Sequence, residues 1–202
     1  KNESGKTAFL HALFKLNPIE RSIYDEVLDF PSRMTRQRKD ETGPITVCTA
    51  KFQLTEDEIN AIEGEFGAGV VKSKKISVTG GYRSKGRSYI IDVDEAVAVA
   101  HLRQHLDLPT GVGAEIKGTR SMSGLLDALT KLAEPTEATA ALQARITSWR
   151  EQKLNLHLID KFLAPWLPKF VYFDDYSTMP GKVSIPDLIA RRDNETLERG
   201  ER

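Results

Sequence analysis

The stretch whose reading decides the fold is KNESGKTAFLHAL, residues 1–13. Gly5, Lys6 and Thr7 supply the last three positions of the pattern G-x-x-x-x-G-K-[ST], and Lys1, Asn2, Glu3 and Ser4 fill its four variable ones. The first glycine of the pattern would stand one residue before Lys1. Behind the threonine, Ala8, Leu10, Leu13, Phe14 and Leu16 recur at helical spacing, and Asn17-Pro18 stops the run. The residue types suit a phosphate cradle. A glycine lets the backbone approach a phosphate with no Cβ in the way. Successive N–H groups at a helix start, reinforced by the helix dipole, hold an anion. Lys6 can then reach β- and γ-phosphates, and the Thr7 hydroxyl can ligate Mg²⁺. The competing reading is an ordinary Gly-Lys-Thr helix start, because that tripeptide is common by itself.

This motif also requires a buried strand before it, and the sequence opens inside the motif. We therefore expect a piece of a longer chain that lacks the first strand. The tail LIARRDNETLERGER, residues 188–202, stops within a helical, charged pattern and suggests a second cut. The 202 residues are 40% hydrophobic and 29% charged, which suits one or two globular domains. No apolar run approaches the ~20 residues that span a bilayer. Lys+Arg and Asp+Glu both number 29, so no global field draws the chain to nucleic acid. Cys48 is the single cysteine, which excludes a disulfide framework and makes the cytoplasm the expected location.

Working outward from the opening helix, residues 19–43 are mostly polar and carry Arg33, Arg36, Arg38 and Lys39, a charge run that reads as a solvated loop. PITVCTAKFQL, residues 44–54, is rich in β-branched residues and reads as a strand. Thr55 then caps TEDEINAIEGEF, with Glu58 in the capping-box position and Gly64 and Gly67 at its end. KKISVTGGYR (74–83) and RSYIIDVD (87–94) read as a hairpin turning at Ser84-Lys85-Gly86. Asp94 starts a helix that Pro109 and Gly111 break, and Ser121 starts another that ends before Glu134-Pro135-Thr136. The spacing of Leu142, Ile146, Trp149, Leu156 and Ile159 predicts one long helix from Glu137 to Phe162. PKFVYF (168–173) reads as a short buried strand, GKVSIP (181–186) as a further strand candidate, and Ile185 to Arg192 as helical. The fold class is mixed α/β, with three parts: 1–118 with the phosphate loop and a β-subdomain, a helical region at 119–168, and 169–202 with a strand and a helix start.

Three stretches together resemble the ABC-class ATPases of the OLD, RecF and SMC type. NESGKTAFLHALFKLNP (2–18) is similar to their phosphate loop and first helix. Residues 29–59 resemble the loop and strand that carry the antiparallel subdomain of OLD-like proteins, and residues 168–188 resemble the segment before their helical insertion. The resemblance covers most of the chain, but only the phosphate loop is a specific motif. It implies the amino-terminal half of a P-loop ATPase head. Asn2, Glu3, Ser4, Gly5, Lys6 and Thr7 would bind ATP, and Thr7 would ligate Mg²⁺. No catalytic residue falls in the chain, and the signature and Walker B motifs are expected beyond Arg202. It further implies a homodimer of heads closed over ATP, and coupling to DNA in repair or phage defence, with a Toprim endonuclease in some members. The alternatives are a nucleotide-gated dimerisation switch without turnover and an interaction domain without a nucleotide.

Three constellations compete for chemistry. In FVYFDD, Asp174 and Asp175 resemble Walker B acids, but the nearest signature-like stretch, SMSGLL from Ser121, is distant and lacks a second glycine. They are read instead as aspartates at a strand end, away from Thr7. His101 and His105 stand four apart on a helix and could share a metal, yet no acidic or cysteine partner has a convincing spacing. Arg83, Lys85 and Arg87 at the hairpin turn could touch DNA phosphates, and are read as a solvated tip.

Overall fold

The computed structural model describes residues 5–30, 42–104, 106, 116–173 and 184–193. Its frame is a three-stranded antiparallel sheet in the order β1-β2-β3, with β1 at Ile45–Gln53, β2 at Lys75–Tyr82 and β3 at Ser88–Ile90. Strand β2 alternates strictly, putting Ile76, Val78, Gly80 and Tyr82 on the buried face. Thr46 pairs with Gly81 and Cys48 with Gly80, so Val47 is an extra residue that bulges β1. The two glycines are needed for packing. A Cβ at Gly81 would lie 2.0 Å from the Ile45 carbonyl oxygen. One at Gly80 would meet the Tyr24 ring at 2.7 Å and Leu16 at 3.1 Å.

Helix α1, Lys6–Leu16, reaches the sheet at that point. Its trailing end is buried at Leu16 and packs over Gly80, whereas its leading half is exposed through Leu10 and His11. Helix α2, Glu56–Phe66, shows the expected capping box in full. The Thr55 hydroxyl accepts from the Glu58 N–H at 3.3 Å, and the Glu58 carboxylate accepts from the Thr55 N–H at 2.8 Å. Ile59, Ile62 and Phe66 form its buried stripe. Helix α3, Glu95–Gln104, starts at Asp94, whose carboxylate accepts from the Ala96 N–H at 3.0 Å. Helix α4, Met122–Thr130, and helix α5, Glu137–Thr147, start at Ser121 and Thr136, each of whose hydroxyls accepts from an N–H three residues on. Their buried residues join Phe66, Val70, Val99 and Ile116 in one continuous core.

The single helix expected over 137–162 is broken. Helix α5 ends at Thr147, a 3₁₀ turn covers Arg150–Gln152, and helix α6 restarts at Leu154–Leu158. Glu151 and Gln152 take positive φ, at 52° and 55°, although neither is glycine. Packing supplies the reason. Trp149 is buried and stacks on His157 with centroids 4.4 Å apart and planes 15° apart, while it meets Phe66 edge-on at 5.9 Å. Eight residues along a straight helix would separate those two rings by ~12 Å. The break therefore lets Trp149 fold back into the core, and its burial outweighs the cost of two strained residues. Helix α6 continues through a π-helical turn at Ile159–Leu163 into the short α7 at Ala164–Trp166.

The buried strand expected at 168–173 is also corrected. Among the described residues its ladder contact is one parallel bridge, Pro18 to Phe170, and Val171 and Phe173 are exposed. Helix α8, Ile185–Asp193, agrees with the helical reading there. In the strand candidate GKVSIP, residues 181–183 lie outside the described residues, and Ile185 and Pro186 open α8. Among the described residues no helix is long and apolar enough to cross a membrane.

Candidate functional site at the start of helix α1

Of the expected nucleotide ligands, Asn2, Glu3 and Ser4 lie outside the described residues, whereas Gly5, Lys6 and Thr7 are placed. Gly5 sits at the cap position of α1 with φ 106° and ψ −18°. A Cβ there would meet nothing within 4 Å. Conformation alone demands glycine at this position, since a side chain strains a residue at that φ. The first bond of the helix runs from the Phe9 N–H to the Gly5 carbonyl at 2.8 Å. The amides of Lys6, Thr7 and Ala8 precede it, in the turn where a helix has no carbonyls of its own to offer them. No acidic residue stands in that turn, and Lys6 and Thr7 are exposed. The helix dipole therefore makes the amino end favourable to an anion.

From Thr7 a groove of about 730 Å³ runs past His11 to Lys15, walled by Tyr24, Phe30 and Tyr82. The segment before Phe30 is tightly folded. Asp25 accepts from the Leu28 and Val27 amides at 3.0 and 2.7 Å, which holds its carboxyl below the usual range. Asp29 bridges the Asp25 amide and the Lys15 ammonium. The Tyr24 hydroxyl donates to the Ala12 carbonyl at 2.7 Å, and burial raises its pKa. Burial also raises the Cys48 thiol, so this half-buried cysteine on the bulged strand is protonated at neutral pH.

The competing constellations fare differently. Arg83 binds Glu26 through two nitrogens, and Arg87 donates to the Asn17 side-chain oxygen. Two of the three tip cations are thus engaged within the chain, which favours the structural reading of that turn. His101 packs against Gly67, where a Cβ would lie 2.8 Å from its own, and His105 lies outside the described residues. Among the described residues no group of three His, Cys, Asp or Glu side chains is placed to hold a metal. Asp174, Asp175 and the basic run Arg33, Arg36, Arg38 and Lys39 lie outside the described residues.

Sequence reasoning missed Asn17, read only as a helix stop, and the Tyr172–His11 pair, whose rings lie 4.3 Å apart. Their partners lie 70 or more positions away in the chain, beyond the reach of any local pattern. Comparison with protein-family models, curated proteins and solved structures found no match.

Proposed function

We propose that the chain is the ATP-binding, amino-terminal part of an ABC-type ATPase head that couples nucleotide binding to DNA processing. The observation that carries this reading is the left-handed Gly5 at the start of α1, with Lys6 and Thr7 exposed beside the first-turn amides. Those donors fit a polyphosphate. The amides of Lys6, Thr7 and Ala8 would hold phosphate oxygens by their fixed dipoles. Lys6 would neutralise the β- and γ-phosphates, and charge-assisted hydrogen bonds of this kind are about twice as strong as neutral ones. Thr7 would offer its hydroxyl to Mg²⁺, which bridges phosphates and withdraws charge from them. A second head completing the nucleotide site, DNA as the ultimate substrate, and a nuclease elsewhere in the full protein all follow from the resemblance of residues 2–18, 29–59 and 168–188. Thermal unfolding tests the reading. ATP with Mg²⁺ should raise the melting temperature of the wild type by mass action and leave that of Lys6→Ala unmoved. Equal shifts in both proteins would contradict it.

A further inference from the structure

We propose that Asn17 is a positioning residue for the nucleotide site, acting through segment 167–173; the inference rests on the nucleotide-binding reading above. Asn17 is 2% exposed, unusually deep for an amide side chain. Its Nδ2 donates to the Leu167 carbonyl at 3.0 Å and the Pro168 carbonyl at 2.8 Å. These acceptors lie just beyond α7, where helix carbonyls lack internal partners. Its Oδ1 accepts from Arg87 of the hairpin, with Lys169 at 3.5 Å. Its backbone carbonyl accepts from the Phe170 N–H at 2.8 Å, and the Ile19 N–H donates to the Phe170 carbonyl at 3.0 Å. One residue therefore joins the trailing end of α1, the hairpin and the segment leaving the helical region.

From that joint the segment runs back along α1 toward its amino end. Phe170 is level with Pro18, whereas Tyr172 lies against His11 at 4.3 Å and Phe14 at 6.2 Å. The leading half of α1 is exposed, so the direction of its first-turn amides is set by what grips the rest of the helix. Asn17 grips the trailing end, and Tyr172 grips the middle. An 11-residue helix is ~16 Å long, so a tilt of about 10° about the trailing end moves the amino end by about 3 Å. Such a displacement exceeds the tolerance of a hydrogen-bonded phosphate cradle.

The test is calorimetric titration of the whole chain with ATP and Mg²⁺, beside hydrogen exchange without nucleotide. Asn17→Asp keeps the shape but sets a carboxylate against the Leu167 and Pro168 carbonyls. It should weaken ATP about tenfold and speed exchange of the Ile19 and Phe170 amides. Tyr172→Ala should weaken ATP similarly, whereas Tyr172→Phe, which keeps the ring on His11, should bind as the wild type does. Should Asn17→Asp fail to fold, the Tyr172 pair decides. Wild-type affinity in a folded Asn17→Asp or in Tyr172→Ala overturns the inference while leaving the nucleotide reading intact. Absence of ATP binding by the wild type overturns that reading and the inference with it.

Discussion

The leading half of α1 and the cluster around Glu65 are built on opposite principles. At the start of α1, Lys6, Thr7, Phe9 and Leu10 face solvent, and the backbone is specialised at one glycine. Around Glu65, at the end of α2, charged and aromatic side chains pack together, and the Glu65 carboxylate is shared by two cations. Its carboxylate binds Arg145 of α5 at 2.7 Å and Lys161 of the π-helical turn at 2.6 Å, with the His157 Nε2 at 4.0 Å. Arg145 lies over the Phe66 ring at 5.5 Å, and the Phe66, Trp149 and His157 rings all contact one another, at 5.9, 5.9 and 4.4 Å. The difference teaches where substitutions should be felt. The exposed side chains of the first region should cost little stability when removed, and the buried rings of the second should cost much.

The largest expected effect is at Trp149. Trp149→Ala removes the buried ring that contacts both Phe66 and His157 and should cost ~3–5 kcal/mol of stability, as large-to-small core changes do, read from urea unfolding. A cost below ~1 kcal/mol would show that the chain break at 148–153 has some other cause. Glu65→Gln comes next. It removes the charge shared by Arg145 and Lys161, whose side chains are 39% and 47% exposed. Solvent screening limits each exposed pair, so the loss should be about 1–2 kcal/mol in all, and high salt should shrink it.

The third effect depends on pH. Burial depresses the His157 pKa, against an opposing pull from Glu65 and in concert with Lys161 and Arg145. The folded protein therefore binds fewer protons at His157 than the unfolded chain does. Stability should be complete above the unfolded value of ~6.5 and decline as pH falls below it toward the depressed folded value. His157→Gln should flatten that decline in denaturant midpoints measured between neutral and mildly acidic pH. An unchanged slope would remove His157 from the account.

These two regions also differ in what the sequence disclosed. Local chemistry was largely legible: the Thr55–Glu58 box, the helix starts at Asp94 and Ser121, the break at Glu134-Pro135-Thr136, the 74–93 hairpin, and the Gly5-Lys6-Thr7 helix start all depend on residues a few positions apart. The features that escaped are products of distant packing. Residues 148–153 contain no glycine or proline, and only the tertiary fit of Trp149 against Phe66 and His157 breaks the helix there. PKFVYF has the composition of a buried strand, but it finds one bridge partner beside Pro18, so Val171 and Phe173 remain exposed. The full buttressing of α1 at Asn17 likewise required three segments to be seen together.

The smallest expected effect on stability is at the candidate site. Lys6→Ala and Thr7→Ala should each shift unfolding without nucleotide by less than ~0.5 kcal/mol, because both residues are exposed. Thr7→Ala should weaken Mg²⁺-dependent ATP binding more than Mg²⁺-free binding, and equal losses in the two conditions would remove Thr7 as the Mg²⁺ ligand. The most direct measurement for the central claim is the ATP dissociation constant of wild type and Lys6→Ala by titration calorimetry at matched Mg²⁺. Saturable one-site binding by the wild type, and its loss in an equally stable Lys6→Ala, is the predicted result. Equal affinities in the two proteins, or no binding heat from the wild type, would contradict the claim that Gly5, Lys6 and Thr7 form a phosphate cradle.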